Sequence, residues 1–232
     1  LNPTGKKRMK KALQEERYDE LIMEGIRQQE AGAHVLDVNV GLPGIDEPKT
    51  MTKVMKLLQE VIPLPLQIDS SDPQAIEKAC RYYNGKPIIN SVNGKDEVMD
   101  AVFPIVKKYG GVVIGLTLDE GIPKKAEERF KIAEKIIKKA GEYGIGKEDI
   151  IIDCLTLTAS AQQKEVRETL RAMKMVKKLG VHTVLGVSNV SFGLPNRPLL
   201  NRTFLTLAME AGLDLPIINP LDEELMGTID AF

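Results

Sequence analysis

The chain has 232 residues, of which 43% are hydrophobic, and its formal net charge is −1. This length suits one large α/β domain, and the near-neutral charge argues against a protein built to bind nucleic acid or an acidic membrane surface. The sequence has no apolar segment of about 20 residues and no signal-peptide core, and its two cysteines suit a reduced compartment, so we expect a cytoplasmic protein without a transmembrane helix.

Short apolar runs alternate with segments of helical periodicity along the chain. The apolar runs cover residues 34–41, 65–72, 87–94, 110–120, 150–157, 183–190 and 216–223. The predicted helices cover 12–31, 52–61, a segment that begins at Pro73, 96–109, 124–143, 162–179, 199–211 and a segment that begins at Glu223. Strands rich in Val and Ile that alternate with helices indicate βαβ units and a parallel sheet.

Seven strands followed by helices predict an α/β fold of the TIM (β/α)8 barrel type with one strand missing. Residues 2–5 read as a loop with no strand before it, and the helix that begins at Glu223 has no stop signal before Phe232. We therefore expect a single barrel domain over residues 1–232 that is clipped at both ends and belongs to a larger protein. The first strand and the end of the last helix would lie outside the chain.

Carboxylate and carboxamide side chains recur where the predicted strands end, although Asp and Asn are poor strand formers. The carboxyl ends of barrel strands are where ligands bind, so the pattern predicts a ring of hydrogen-bonding groups around one polar ligand. Residues two apart share a strand face, which places Asp37 with Asn39 and Gln67 with Asp69. The candidates from five different strands are Asn39, Asp69, Asn90, Asp153 and Asn189.

Each of these residues has a plainer interpretation as a helix cap or loop anchor, and we expect that role for Asn219 and Asp222 in the last run. His34 and His182 begin their strands, at the end opposite the expected ligand, so a catalytic or zinc-binding role is not predicted for them. Cys154 follows Asp153 directly and should point to the other strand face, which argues against a nucleophile.

Two further segments carry signals. Residues 186–201 read as a strand end followed by a long loop rich in Gly and Pro, and that length is typical of function. The basic residues of the segment 6–11 fit either a solvated helix start or, as a second interpretation, a docking surface.

The chain resembles the pterin-binding family in seven segments, which read, in order, NPTGKKR, LDVNVGLPGIDE, IDSSDP, IINSVNG, LTLTASAQQ, LGVSNVSFGLPNRP and IINPLDE. Within this family it is similar to the methyltetrahydrofolate-binding barrel of cobalamin-dependent methionine synthase. It is also similar to the methyltransferase that methylates a corrinoid iron–sulfur protein. The family fold is a TIM barrel, which agrees with the strand count.

The resemblance implies a role for each matching residue. Asp69, Asn90 and Asp153 match the residues that hold the pterin ring, Asn189 matches an amide near N5, and Arg197 matches an arginine that shapes that site. Further lining residues are expected to be Asp37, Asn39, Gln67, Gly186 and Ser188. The resemblance also implies 5-methyltetrahydrofolate as methyl donor and a cobalamin or other corrinoid held by a partner domain or protein, with no metal in this chain.

The expected reaction moves the N5 methyl group to cob(I)alamin, as in methionine synthesis, with Asn189 and Asp153 as the catalytic candidates. A carboxamide is no proton donor near neutral pH, so Asn189 would accept a hydrogen bond from protonated N5. The proton would come from solvent or through a carboxylate–water chain.

Two alternatives remain open. Dihydropteroate synthase shares the barrel, but its loop after the first strand typically reads like N-x-T-P-D-S-F, and its last-but-one strand typically ends in basic residues; here the segments read NPTGKKR and GVSN. The other alternative is a folate-binding barrel without catalysis. Oligomeric state, polyglutamate preference and the final methyl acceptor are not predicted.

Overall fold

The computed structural model describes residues 1–160 and 163–232. Within these residues the strands are β1 (Leu36–Asn39), β2 (Leu66–Asp69), β3 (Ile88–Val92), β4 (Val112–Leu116), β5 (Ile150–Asp153), β6 (His182–Gly186) and β7 (Leu215–Ile217). The helices are α1 (Lys7–Gln14), α2 (Tyr18–Glu30), α3 (Glu47–Val61), α4 (Pro73–Tyr82), α5 (Asp96–Tyr109), α6 (Ala126–Glu142), α7 (Gln163–Val176), α8 (Arg197–Glu210) and α9 (Glu223–Ala231). Short 3₁₀ helices cover Lys147–Asp149, Lys177–Leu179 and Val187–Ser191.

The strands are ordered in the sheet as they are in the chain, β1 to β7. The pairings of β1 with β2, β2 with β3, β5 with β6 and β6 with β7 are all parallel. Every strand is followed by a helix, which is the order of a (β/α)8 barrel. The predicted α/β class is therefore confirmed.

The described residues form two compact units, and the expectation of one domain over residues 1–232 stays a prediction. The first unit comprises Leu1–Ser91 and Pro104–Val113. Alternate residues of β1 and β2, such as Val38 and Ile68, are fully buried, and α3 packs on α4. This alternation leaves Asp37 and its strand neighbours on the other face, since the side-chain period of a strand is two.

The second unit comprises Val92–Phe103 and Ile114–Phe232. Its core includes Ile152 of β5 and Ile136 of α6, both fully buried. Helix α6 lies close to β4, because a Cβ atom added to Gly115 would stand only 2.8 Å from Ile136 Cγ2. Apolar packing of this kind supplies most of the stability of a helix in an α/β fold.

The prediction of one helix over residues 12–31 is wrong. The structure has two helices, α1 and α2, and Glu16 between them has a positive φ of 55°. The Arg17 amide donates to the Ala12 carbonyl across this break, at 2.8 Å. Residues 14–17, which form the break, contain no Gly or Pro that could have marked the turn.

Most other helices begin within a few residues of the predicted positions. Helix α3 starts at Glu47 rather than residue 52, because the Asp46 carboxylate accepts a hydrogen bond from the Lys49 amide. Asp72 caps α4 in the same way ahead of Pro73, as its sequence predicts. The helix predicted over 162–179 would start at Gln162. Ala161 and Gln162, which also belong to the LTLTASAQQ segment, lie outside the described residues.

The segment 186–201, predicted as a strand end followed by a long loop, is partly helical. Its first part forms the 3₁₀ helix Val187–Ser191, and α8 begins at Arg197, so Arg197 lies on a helix rather than within a loop. Among the described residues, no helix combines the length and the apolar character needed to cross a membrane.

Candidate functional site

The first polar cluster, called here the β1–β3 cluster, consists of Asp37, Asn39, Gln67, Asp69 and Asn90. Gln67 Nε2 donates to Asp37 Oδ1 at 2.6 Å, and Asn39 Nδ2 donates to Asp69 Oδ2 at 2.9 Å. Both pairs stand opposite each other in the parallel register of β1 and β2. The structure thus brings together the polar residues that strand alternation placed on one face.

The Asp69 carboxyl of this cluster has a raised pKa. Burial is the main cause, the negative charge of Asp37 adds to it, and the hydrogen bond from Asn39 opposes it, which leaves the pKa of Asp69 at about 6. Burial also raises the pKa of Asp37, against hydrogen bonds from Gln67 and Asn90. Two half-buried carboxyls side by side would be stabilised in their charged forms by a ligand edge that offers N–H donors.

Two residues near the cluster were missed by the sequence reasoning. Ser70 Oγ donates a short hydrogen bond to Glu47 Oε1, and the Ser70 amide donates to the Asn90 carbonyl at 2.9 Å. The charge of Glu47 further raises the pKa of Asp69. The signal available for Glu47 was its place in the LDVNVGLPGIDE segment, because the predicted helix started only at residue 52.

The second polar group surrounds Asp153 at the end of β5. Asp153 Oδ1 accepts a hydrogen bond from the Leu155 amide at 2.7 Å, and the Asp153 carbonyl accepts from the Thr117 amide at 3.0 Å. Burial raises the pKa of Asp153 to about 7, although the Leu155 amide and the Arg129 guanidinium both lower it. A carboxyl with this pKa exchanges a proton readily near neutral pH.

Cys154, next in the chain, is fully buried. Burial, together with the neighbouring Asp153 charge, raises the pKa of its thiol, so the reactive thiolate is scarce at neutral pH. This environment agrees with the expectation that Cys154 is not a nucleophile.

The third group is the Asn189 turn, formed by the 3₁₀ helix Val187–Ser191 and the start of α8. Arg197 Nη2 donates to the Ser188 carbonyl at 3.1 Å, and Arg197 Nε donates to Ser191 Oγ at 3.0 Å. These two contacts bracket Asn189, whose side chain is exposed. Arg197 therefore holds the backbone of the turn that presents the Asn189 carboxamide.

Gly186 lies directly behind this carboxamide. A Cβ atom added at Gly186 would stand 3.1 Å from Asn189 Nδ2, which is tighter than ordinary van der Waals contact. The glycine allows the amide to lie close to the end of β6.

The remaining polar strand-end residues have structural partners. Asp222 Oδ1 accepts a hydrogen bond from the Leu225 amide and caps α9, and Asn219 Oδ1 accepts one from the Leu221 amide. Their predicted role as loop anchors is confirmed. His182 is the first residue of β6, as predicted, and its Nδ1 lies 3.7 Å from Asp214 Oδ2. Within residues 1–160 and 163–232, no group of three or more His, Cys, Asp or Glu side chains is arranged to hold a metal ion.

A surface groove of about 590 Å³ lies elsewhere in the second unit, between α8 and α9. Its lining consists of Arg202, Thr203, Thr206, Leu207, Glu224, Gly227, Thr228 and Ala231. It contains none of the predicted site residues.

Comparison with known proteins identifies relatives of this chain. The family model for pterin binding enzymes matches residues 1–219. The chain is 34% identical to methionine synthases of Mycobacterium leprae (strain TN) and Mycobacterium tuberculosis (strain ATCC 25618 / H37Rv), over 94% of its own length and 19% and 20% of theirs. It thus spans about a fifth of these relatives. It is 28% identical to the methylcorrinoid:tetrahydrofolate methyltransferase of Eubacterium limosum, over 96% of this chain and 84% of that protein.

Solved structures with a similar fold include dihydropteroate synthases. The enzyme of Xanthomonas albilineans in complex with 7,8-dihydropteroate has a TM-score of 0.72 at 20% identity, over 92% of this chain and 83% of that chain. The enzyme of Coxiella burnetii in complex with pteroic acid has a TM-score of 0.74 at 15% identity, over 92% and 85%. At such identities the likeness is one of fold, and it supports the predicted barrel class.

Proposed function

This chain belongs to the pterin-binding enzyme family, and we propose that it binds 5-methyltetrahydrofolate and exchanges its N5 methyl group with a corrinoid carried by a partner domain or protein. The observation that carries the proposal is the β1–β3 cluster of partly buried carboxyl and amide groups in the first unit. Asp153, at the end of β5 in the second unit, is a further carboxyl whose pKa is raised by burial. The chain as a whole is similar to relatives named methionine synthase and methylcorrinoid:tetrahydrofolate methyltransferase, which supports folate and corrinoid chemistry.

The assigned pterin contacts are Asp69, Asn90 and Asp153. The edge of a pterin ring presents a 2-amino group and ring N–H donors, which carboxylates accept well, and each charge-assisted hydrogen bond contributes about 1.5–3 kcal/mol. Asn90 supplies both a donor and an acceptor. Asp37, Asn39, Gln67, Gly186 and Ser188 are assigned as lining residues.

Asp153 and Asn189 are assigned to the protonation of N5, Asp153 for proton exchange and Asn189 for stabilising protonated N5. When the N5–CH₃ bond breaks, its electron pair stays on N5, so protonation of N5 makes it a better leaving group. The exposed Asn189 carboxamide oxygen accepts a hydrogen bond from N5–H⁺ and stabilises the charge. The proton comes from solvent or through a carboxylate–water chain, and Asp153, whose pKa is about 7, is the candidate carboxyl for that chain. Arg197 maintains the turn.

The direction of transfer has two candidates. Donation from methyltetrahydrofolate to cob(I)alamin, as in methionine synthesis, is the one we favour, because the methionine synthases are the more identical relatives. Transfer from a methylcorrinoid to tetrahydrofolate is the second candidate, because the Eubacterium limosum relative bears that name and the chain covers 84% of it.

Binding and transfer are measured separately in the test. The full protein is titrated with 5-methyltetrahydrofolate by fluorescence, and methyl transfer to supplied cob(I)alamin is followed by absorbance in both directions. Asn189→Ala is expected to lower the transfer rate by on the order of 100-fold, as removal of one charge-stabilising group does, while the Kd for folate changes little. Asn219→Ala, which also removes a strand-end carboxamide, is the matched control and should leave both unchanged.

Three results would contradict the proposal. Equal losses of methyl-transfer rate and folate affinity in Asn189→Ala would contradict the role of Asn189 at N5. Condensation of para-aminobenzoate with a dihydropterin pyrophosphate would identify a dihydropteroate synthase. Tight folate binding without transfer in either direction would indicate a barrel that only binds folate.

A further inference from the structure

Arg129 of α6 is a fully buried cation that the reaction does not explain. Its side chain has 0% exposed surface. Nε donates to the Pro123 carbonyl at 2.7 Å, and Nη2 is buried with no hydrogen-bond partner among the described residues. Desolvation of a guanidinium costs several kcal/mol, so a packed apolar side chain would be the cheaper solution in a purely structural position.

The remaining contacts of Arg129 converge on the loop after β5. Nη1 donates to the Cys154 carbonyl at 3.0 Å, to the Leu155 carbonyl at 3.2 Å and to Thr169 Oγ1 of α7 at 2.7 Å. Thr169 Oγ1 in turn donates to the Leu155 carbonyl at 3.0 Å. One buried guanidinium therefore ties α6 and α7 to the residues that follow Asp153.

Leu155 connects this guanidinium to the Asp153 side chain. It has a φ of 60°, a left-handed conformation that is strained for a residue with a Cβ atom. Its carbonyl is held by Arg129 and Thr169, and its amide donates to Asp153 Oδ1. The position of the Asp153 carboxyl thus depends on a strained residue that Arg129 holds in place.

We propose that Arg129 is a positioning residue, which fixes Leu155 in its left-handed conformation and so orients the Asp153 carboxylate toward the pterin. This assignment rests on the proposed function, because it takes Asp153 as a folate contact. It extends that function by placing a determinant of folate affinity on α6, behind the strand.

The charge of Arg129 also affects the ionisation of Asp153. The guanidinium lowers the pKa of Asp153 against its burial, and the neighbouring Cys154 thiol is kept neutral by burial. Arg129 also faces Glu165 and Glu168 of α7, which raise its pKa against burial. Arg129 therefore favours the carboxylate form of Asp153, the form that accepts pterin N–H donors.

Arg129→Gln separates the charge from the hydrogen bonds, since the amide still donates to a carbonyl. The Arg129 charge is the smallest of the named influences on the pKa of Asp153, so its loss should raise that pKa by about 1 unit, the low end of the effect of a neighbouring cation. From about 7 in the native protein, Asp153 would then titrate near pH 8, and its ionised fraction at pH 7 would fall from about one half to about one tenth. Folate affinity is expected to be about fivefold weaker at pH 7 and to recover at pH 9.

The pH dependence of folate affinity distinguishes the two roles of Arg129, because a purely structural role would leave it unchanged. Arg129→Lys keeps the charge but cannot reach all the acceptors, so its folate affinity should be lower by a similar factor at pH 7 and pH 9. A loss in Arg129→Gln that is the same at both values, or no loss, would overturn the proposal. If Arg129→Gln does not fold, Thr169→Val removes one anchor without changing charge, and wild-type folate affinity in that variant would overturn it.

A second measurement needs no folate. The ¹³C resonance of the Asp153 carboxyl, assigned with Asp153→Asn, is titrated in the full protein with and without Arg129→Gln. Its midpoint should rise by about 1 unit in the variant, and an unchanged midpoint contradicts the proposal. If the native protein binds no folate, the proposed function fails while this titration still decides whether Arg129 controls Asp153.

Discussion

Asp153→Asn should make the protein more stable above neutral pH while it weakens folate binding. The folded-state pKa of Asp153 is about 7, against 3.8 for an ordinary aspartate, and burial is the main cause. Between these two values the unfolded chain releases the proton while the folded protein keeps it. Stability is therefore lost as pH rises from about 4 to about 7, and it stays low above that range.

The size of the effect follows from the pKa difference. Each unit is worth 1.36 kcal/mol, so a difference of about 3 units gives an upper bound of about 4 kcal/mol. The Asp153 side chain is only half-buried, so solvent screening reduces the effect below this bound. The Oδ1 atom of an asparagine would still accept the hydrogen bond from the Leu155 amide. We expect Asp153→Asn to raise the free energy of unfolding by about 2–4 kcal/mol at pH 8 and to leave it nearly unchanged at pH 4.

Urea unfolding followed by circular dichroism, at half-unit steps from pH 4 to pH 8.5, measures this difference. Asp230→Asn, at an exposed position of α9, removes the same charge from the surface and is the matched control. A constant offset between native protein and Asp153→Asn across the whole pH range would refute the reasoning. So would a variant that is less stable than the native protein at pH 8.

Two further predictions follow from backbone geometry. Glu16→Gly should raise the free energy of unfolding by about 0.5–1 kcal/mol, because Glu16 has a φ of 55° and glycine avoids that strain. The control Glu15→Gly, at a φ of −94°, should lower the free energy of unfolding, and a change of the same sign in both variants would contradict the prediction. Gly186→Ala should slow methyl transfer with little effect on stability, because its Cβ would lie 3.1 Å from Asn189 Nδ2. Gly141→Ala, whose Cβ would have no atom within 4 Å, is the control for thermal stability and transfer rate. Equal transfer rates in the two variants would count against the Asn189 assignment.

Local rules account for the parts of the site that the sequence predicted. Strand alternation placed Asp37 and Asn39 on one face, and in the structure Asn39 donates to Asp69 across the parallel register. The cap formed by Asp72 before Pro73 marked the start of α4, since both residues act within one helical turn.

The wrong predictions arose where distant groups or an unmarked turn decided the conformation. The break at Glu16 carries no Gly or Pro, so a helical pattern from 12 to 31 was indistinguishable from two helices. Arg129 was not singled out from the sequence, because its partners Leu155 and Thr169 come from other elements far along the chain. Glu47 likewise gained its place near Asp69 only through folding.

The sequence by itself determined the strand–helix order, the shared face of the polar residues and the family, because periodicity, caps and motifs are encoded in neighbouring residues. Only the tertiary structure decided which carboxyls have raised pKa values and which residues position those carboxyls. Burial and charge proximity depend on residues brought together from different elements, as Asp153 shows. Its position in the sequence shows only an aspartate at a strand end, whereas its burial in the folded protein raises its pKa to about 7.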